Sequence, residues 1–277
     1  MAMADMGIFS SHSFPDYWAS TLQATKPQWL VVDGNWGEGD IKSWIQAGKA
    51  QGSKVAFEPV SVDKSARLFG PSRAAGPLGV FPGASVDLAS PNNYELAAMY
   101  AAAKENGYLD TMEWFSVIDA FGMRGARERF VYLTSRELTD AGVPVQTVQL
   151  LPYIPTIITK LGSRGVLLAT ILGRDDPRLF APDAQEFILA RATDHPTIGG
   201  IYMRLFPPAE RVEDVVSVNG VGDTFLGVLI SGLAQGGSVE RLVDVAQQGA
   251  VMSLRCAESV SPRLSGLQEA ISKAVVK

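Results

Sequence analysis

The chain has 277 residues, 47% of them hydrophobic, which is enough for one large α/β domain with a sizeable core and excludes a disordered chain. Its net charge of −5 argues against non-specific attachment to nucleic acid or an anionic membrane, and no stretch reaches the ~18 apolar residues a membrane helix requires. A single cysteine, Cys256, excludes an intrachain disulfide and fits a reducing, cytoplasmic setting, with a packed thiol the plainer reading and a reactive one its rival.

The opening, MAMADMGIFSSHSF, carries Asp5 and no early Lys or Arg. It does not read as a signal peptide; it reads as a buried strand with its own turn. WLVVDGN (29–35) is a β-branched run closed by Asp-Gly-Asn and predicts a buried parallel strand. DIKSWIQAGKAQG (40–52) predicts a helix with Ile41, Trp44, Ile45 and Gly48 on one face and Gly52 at its C-cap. KVAFEPV (54–60) predicts the next strand and DKSARLF (63–69) a short helix. VDLASPN (86–92) predicts another strand and turn, and NYELAAMYAAAKENG (93–107) a long helix stopped by Gly107. Alternation of this kind implies a parallel sheet with helices on both faces.

From about 108 to 152 the rhythm changes, and EWFSVIDAF, ARERFVYLTSRELTDAG and VPVQTVQLLPY read as a helical insertion. PTIITKLGSRGVLLATIL (155–172) returns to strand, turn, strand about Gly162-Ser163-Arg164-Gly165. Residues 173–211, rich in Pro, Asp and Arg, predict a surface loop. Two helices follow, over 223–235 and 240–256. No internal repeat and no clean linker divides the chain, so it reads as a single domain over 1–277.

VSVNGVGDTFLG (216–227) carries the chemistry. A short β-branched run passes through Gly220-Val221-Gly222-Asp223 into an apolar helix. The first turn of a helix has free N–H groups and the positive end of the dipole, and glycines let the backbone approach an anion. Phosphoryl transfer needs such a cradle, and an acid at its rim can take a proton from an attacking hydroxyl. A plain Gly-rich turn with an N-terminal acid fits the same residues.

NGVGDTFLG resembles the signature of the PfkB (ribokinase-like) sugar and nucleoside kinases, whose core is Gly-Ala-Gly-Asp followed by a helix. The resemblance implies that Gly220, Val221 and Gly222 form the anion hole and that Asp223 is the catalytic base. Val221 replaces the alanine and leaves its N–H available. The family opens this signature with Asp-Thr; here it is Ser217-Val218. SPNNYELAAM resembles the family's Asn-x-x-Glu motif, in which Asn92 and Glu95 would organise Mg²⁺, through water, and the ATP phosphates. Read unaided, the same pair is the polar start of a helix. ITKLGSRGVLL resembles the nucleotide-binding strand-turn-strand, with Gly162 matching and Lys160 where many members have Thr. The resemblance also implies nucleotide contacts from Thr159 and Asn219. AESVSP (257–262) lies where members line the adenine pocket and a monovalent-cation site, which implicates Ser217, Ser259 and Ser261 and a K⁺ ion. Further stretches, VVDGNW, EPVSVDKSARLF and YMRLFPPAERVEDVVSVNGVGDTFLGVL, are similar to eukaryotic pseudouridine kinases within the family, often found fused to a pseudouridine-5′-phosphate glycosidase.

The resemblance therefore implies a ribokinase-like three-layer α/β/α fold with a mainly parallel central sheet and a helical insertion. It implies an ATP-dependent phosphotransferase acting on a hydroxymethyl group of a nucleoside or sugar, pseudouridine first, with a small-molecule partner and a homo-oligomeric state in view. The family's early Gly-Gly substrate motif and β-lid have no counterpart here, so the chain reads as the C-terminal two-thirds of such a kinase. A non-catalytic nucleotide-binding remnant is the rival from another class. A dehydrogenase is weaker, because no Gly-x-Gly-x-x-Gly follows the first strand. His12 and His195 have no second ligand nearby in sequence and read as surface residues. DGNWGEGD (33–40) reads as a loop at the strand's C-terminal edge, which puts Asp33 and Asn35 at the rim where open α/β sheets bind ligands. Trp44, Trp114 and Phe115 read as core.

Overall fold

The computed structural model describes residues 7–11, 18–71, 76–123, 125–192 and 194–276. Two short helices come first, α1 (Gly7–Ser11) and α2 (Ala19–Thr25). The buried strand expected at the start is therefore a helix over 7–11, where a Gly-Ile-Phe-Ser-Ser run closes one hydrogen-bonded turn and Ser11 Oγ bonds back to Gly7 O at 3.2 Å. The rest of that expected strand, and His12, lie outside the described residues.

Strand β1 (Trp29–Asp33) leads to α3 (Glu38–Ala50), then β2 (Lys54–Glu58), α4 (Val62–Ser65) and β3 (Leu88–Ala89). The buried faces follow from the pattern. β2 is buried along Val55, Ala56 and Phe57, as a strand covered on both sides must be, while α3 buries Ile41, Ile45 and Gly48 at helical spacing. The α3 face also buries Lys42, which periodicity does not foresee. Helix α5 (Asn93–Glu105) is followed by Gly107 in the left-handed region, as the sequence implies. Beyond it come a 3₁₀ turn (Tyr108–Asp110), α6 (Met112–Ala120), α7 (Arg127–Leu133), α8 (Arg136–Asp140) and α9 (Val143–Leu150).

Strands β4 (Thr156–Lys160) and β5 (Val166–Gly173) are joined by a tight connection in which Leu161 N donates to Gly165 O at 2.9 Å. The stretch expected as a surface loop contains two strands, β6 (Ile188–Arg191) and β7 (Ile198–Phe206), paired antiparallel with a bulge between Ile188 and Ala190. The Pro, Asp and Arg content that predicted a loop does not prevent these strands, and Gly199 sits within one of them. Here a Cβ at Gly199 would collide with Leu179 and the Gly173 carbonyl, so the glycine marks close packing inside a strand. Helices α10 (Val221–Ala234), α11 (Val239–Leu254) and α12 (Gln268–Val275) complete the chain.

The strands form one mixed sheet in the order β1-β2-β3-β4-β5-β7-β6, with β1 through β4 parallel. Two compact units emerge. Unit 1 comprises 1–158 and 169–204; unit 2 comprises 159–168 and 205–277. In unit 2, α10 and α11 pack closely because Gly232 admits Leu242 and Gly249 admits Val228. No helix among the described residues is long and apolar enough to cross a membrane.

Candidate active site

In unit 2 the chain reaches the glycine turn without a strand. Residues 207–218 are extended coil, so the β-branched run is not a sheet element: its N–H groups turn to a helix end instead, with Val216 and Ser217 donating to Leu254 O at 2.8 and 3.1 Å. Val216 and Val218 are 62% and 73% exposed, against the usual habit of large apolar side chains. Arg255, just past α11, ties the segment down through Glu210 at 2.7 Å and Asp214 at 3.0 Å. Its hydrogen bond holds the Asp214 carboxyl below the ordinary aspartate range.

Gly220 caps α10 in the left-handed region, with φ +70°, and its carbonyl accepts the first helical bond from Thr224 at 2.8 Å. A Cβ at this position would collide with the backbone carbonyl of Ser259. Both requirements leave glycine as the residue that fits. The N–H groups of Val221, Gly222 and Asp223 precede that first bond and have no partner among the described residues, and no side chain caps them. Asp223 is exposed on this first turn. The arrangement is three aligned donors at a helix's positive end with a carboxylate beside them, which can hold an anion and accept a proton.

Behind the turn, Thr224 Oγ1 lies 2.8 Å from Ser253 Oγ in the core, and Ser253 Oγ also accepts from Ser261 N at 3.2 Å. This buried serine links the start of α10 to the end of α11 and the 255–261 loop. Ser261 is buried and Ser259 exposed, while Ser217 Oγ accepts from Asn219 N at 3.2 Å. Gly162 sits at the hairpin tip with φ +61°. Thr159, by contrast, is 0% exposed and its hydroxyl has no partner, so its side chain faces the interior.

In unit 1, Asn92 and Glu95 form a reciprocal capping box. Asn92 Oδ1 accepts from Tyr94 N and Glu95 N at 2.9 Å each, and Glu95 Oε2 accepts from Asn92 N at 2.7 Å. The pair thus builds the start of α5, and Glu95 Oε1 makes no hydrogen bond among the described residues. At the end of β1, Asn35 N donates to Asp33 Oδ1 at 2.8 Å and Lys64 Nζ reaches Asn35 Oδ1 at 2.6 Å. Arg67 donates to the carbonyls of Gly34, Asn35 and Trp36 at 2.9, 3.0 and 3.1 Å. After β2, Val60 has φ +70° and Ser61 N bonds back to Pro59 O at 2.8 Å, a γ-turn that a β-branched residue adopts only under constraint. His195 uses Nδ1 to accept from Thr197 N and Ile198 N, a local turn role.

Sequence reasoning missed Ser253 and Arg255, which lie outside any motif, and the pairing of Thr224 with Ser253, two residues that lie far apart along the chain. Motif spacing found the glycine turn and the Asn-x-x-Glu pair.

Residues 203–264 match the model of the pfkB family carbohydrate kinases. A pseudouridine-metabolizing bifunctional protein of Schizosaccharomyces pombe is 27% identical over 272 residues, covering 96% of this chain and 33% of that protein. Among solved structures, adenosine kinase from Sinorhizobium meliloti gives a TM-score of 0.52 at 13% identity over 93% of this chain and 58% of its own. Ribokinase from Cryptococcus neoformans, solved with ADP, gives 0.50 at 15% identity over 87% and 61%. The chain thus spans a third of the curated relative and less than two thirds of these kinases. The match to the pfkB family thus falls on residues 203–264, and the chain that carries them has a ribokinase-like α/β fold.

Proposed function

We propose that the protein is an ATP-dependent kinase that phosphorylates a hydroxymethyl group of a nucleoside or sugar, with pseudouridine as the first substrate to test. One observation carries this reading: an exposed carboxylate, Asp223, stands on a helix's first turn beside three N–H groups that have no partner among the described residues, inside the segment that matches the pfkB family. The alcohol gives its proton to Asp223 as its oxygen attacks the γ-phosphorus. The new O–P bond forms, the bond to the β-phosphate oxygen breaks, and ADP leaves. Charge on the transferred group is held by the backbone N–H groups of the 220–223 turn, fixed in advance by the glycine geometry.

A magnesium ion that arrives with a nucleotide needs only one or two protein carboxylates. Glu95 fits that demand: one oxygen is committed to the capping box, and the other is left to reach the ion through water. Magnesium would neutralise phosphate charge there. Pseudouridine is favoured as substrate by the curated relative, whose name describes pseudouridine metabolism and which aligns along 96% of this chain.

The test is ADP release from Mg-ATP with pseudouridine, uridine, adenosine and ribose as acceptors. Pseudouridine-dependent release is expected. Saturable Mg-ATP binding without release on any acceptor would favour a nucleotide-binding protein without kinase activity.

A further inference from the structure

Unit 1 holds a cavity of about 540 Å³ that shares no residue with the sites above. Its size suits a small organic molecule. Tyr108 and Tyr153 form one wall, ring edge to ring face with centroids 5.4 Å apart and Phe69 packed behind both. Pro71, Leu78 and Val80 supply apolar surface. The tyrosine hydroxyls are engaged within the wall: Tyr153 donates to Tyr108 O at 2.6 Å, and Tyr108 donates to Gly70 O at 3.2 Å.

Lys42 also lines this cavity, although it is 3% exposed overall. Its Nζ lies 3.3 Å from both Gly70 O and the Tyr108 hydroxyl, at the long end of hydrogen bonding. Burial pushes its pKa below the ordinary lysine value, with Glu38 opposing. A desolvated lysine spends more time as the neutral amine, which is the nucleophilic form.

We propose that the cavity takes a small apolar aldehyde, held as an imine on Lys42. The amine nitrogen attacks the carbonyl carbon and a C–N bond forms. The carbonyl oxygen takes up protons and leaves as water, while nitrogen gives up its hydrogens to complete the C=N bond. Amine and aldehyde become imine and water, with no change of oxidation state. Tyr108, 3.3 Å from Nζ, is placed to relay the proton. Pro71, Leu78, Val80 and the tyrosine rings favour an apolar body on the ligand, and the Glu113 carboxylate on the same lining disfavours an anionic one, which leaves a neutral carbonyl as the group that meets Lys42. The inference is independent of the kinase reading.

The experiment exposes the whole protein to limiting benzaldehyde with cyanoborohydride and maps benzylated lysines by peptide mass spectrometry. Lys42 should be labelled several-fold faster than the exposed Lys104 and Lys273, because the cavity holds the aldehyde beside an amine that burial makes easier to deprotonate. Labelling of the surface lysines with Lys42 equal or slower would overturn the proposal. Tyr108→Phe keeps the ring and removes the hydroxyl. It should slow Lys42 several-fold and leave Lys104 and Lys273 unchanged; an unaltered Lys42 rate would overturn the relay.

Discussion

The carbonyl of Ser259 occupies the space that any side chain at Gly220 would need. The loop after α11 is thus pressed against the cap of α10, and the phosphate-binding turn proposed here is shaped by contact as well as by dihedral angle. Gly220→Ala should cost roughly 2–4 kcal/mol, from left-handed strain plus collision. Gly227, exposed in the middle of α10 with open space around its Cα, is the control. Gly227→Ala should add about 0.5–1 kcal/mol of stability through helix propensity. Urea denaturation of both variants reads the contrast directly, and equal effects would mean that Ser259 can move aside.

Asp223→Asn preserves the size of the side chain and removes the proton acceptor. Turnover should fall by on the order of 10²–10⁴, while nucleotide affinity stays within a few-fold because the N–H groups remain. Calorimetry beside a coupled assay separates the two quantities. Turnover close to wild type would reduce Asp223 to a residue that favours the helix start.

Ser253 is buried and serves two partners, Thr224 Oγ1 and Ser261 N. Ser253→Ala should destabilise by about 1–3 kcal/mol, because both groups lose a buried partner. Adding Thr224→Val should recover part of that loss and not all of it, since Ser261 N remains unpaired. A double-mutant comparison by thermal denaturation shows whether recovery is partial.

Asp214 has its carboxyl pKa lowered chiefly by the Arg255 hydrogen bond. A carboxylate lowered in the folded state contributes stability that is complete above its unfolded pKa and lost as pH falls through the folded one. The link between residues 207–218 and α11 should therefore hold at neutral pH and loosen only below the ordinary aspartate range. Arg255→Met should return the Asp214 midpoint, followed by NMR titration, to that range. An unmoved midpoint would assign the shift to the local backbone instead.

Helix α5 and the β4–β5 hairpin were legible because their signals are local: helical periodicity closed by Gly107, and two apolar runs around a short turn. Strands β6 and β7 were not, because the Pro, Asp and Arg of 173–211 read as a surface loop, and what packs Gly199 into its strand is Leu179 and Gly173, twenty or more residues upstream. The burial of Lys42 went unread for a related reason. The residue sits beside the apolar face of α3, and the groups that bury it arrive from residues 70 and 108. At the glycine turn the same division holds. Gly220 announces itself by spacing, whereas Ser253 and Ser259 matter through contacts that no sequence period encodes. Thr159 shows the converse, a residue aligned with a motif whose side chain is buried in a way no motif announces.

The carbonyl of Leu254 accepts from both Val216 and Ser217. Carbonyls at a helix's end are commonly left to water or to a glycine cap. Here one is taken by a segment that has no sheet ladder of its own. Fraying of the last turn of α11 would release that segment in the same event. The amides of Val216 and Ser217 should therefore exchange with deuterium at the pace of a helix terminus rather than of a surface loop. The order of the turn that follows them is borrowed from a helix that the chain has yet to make.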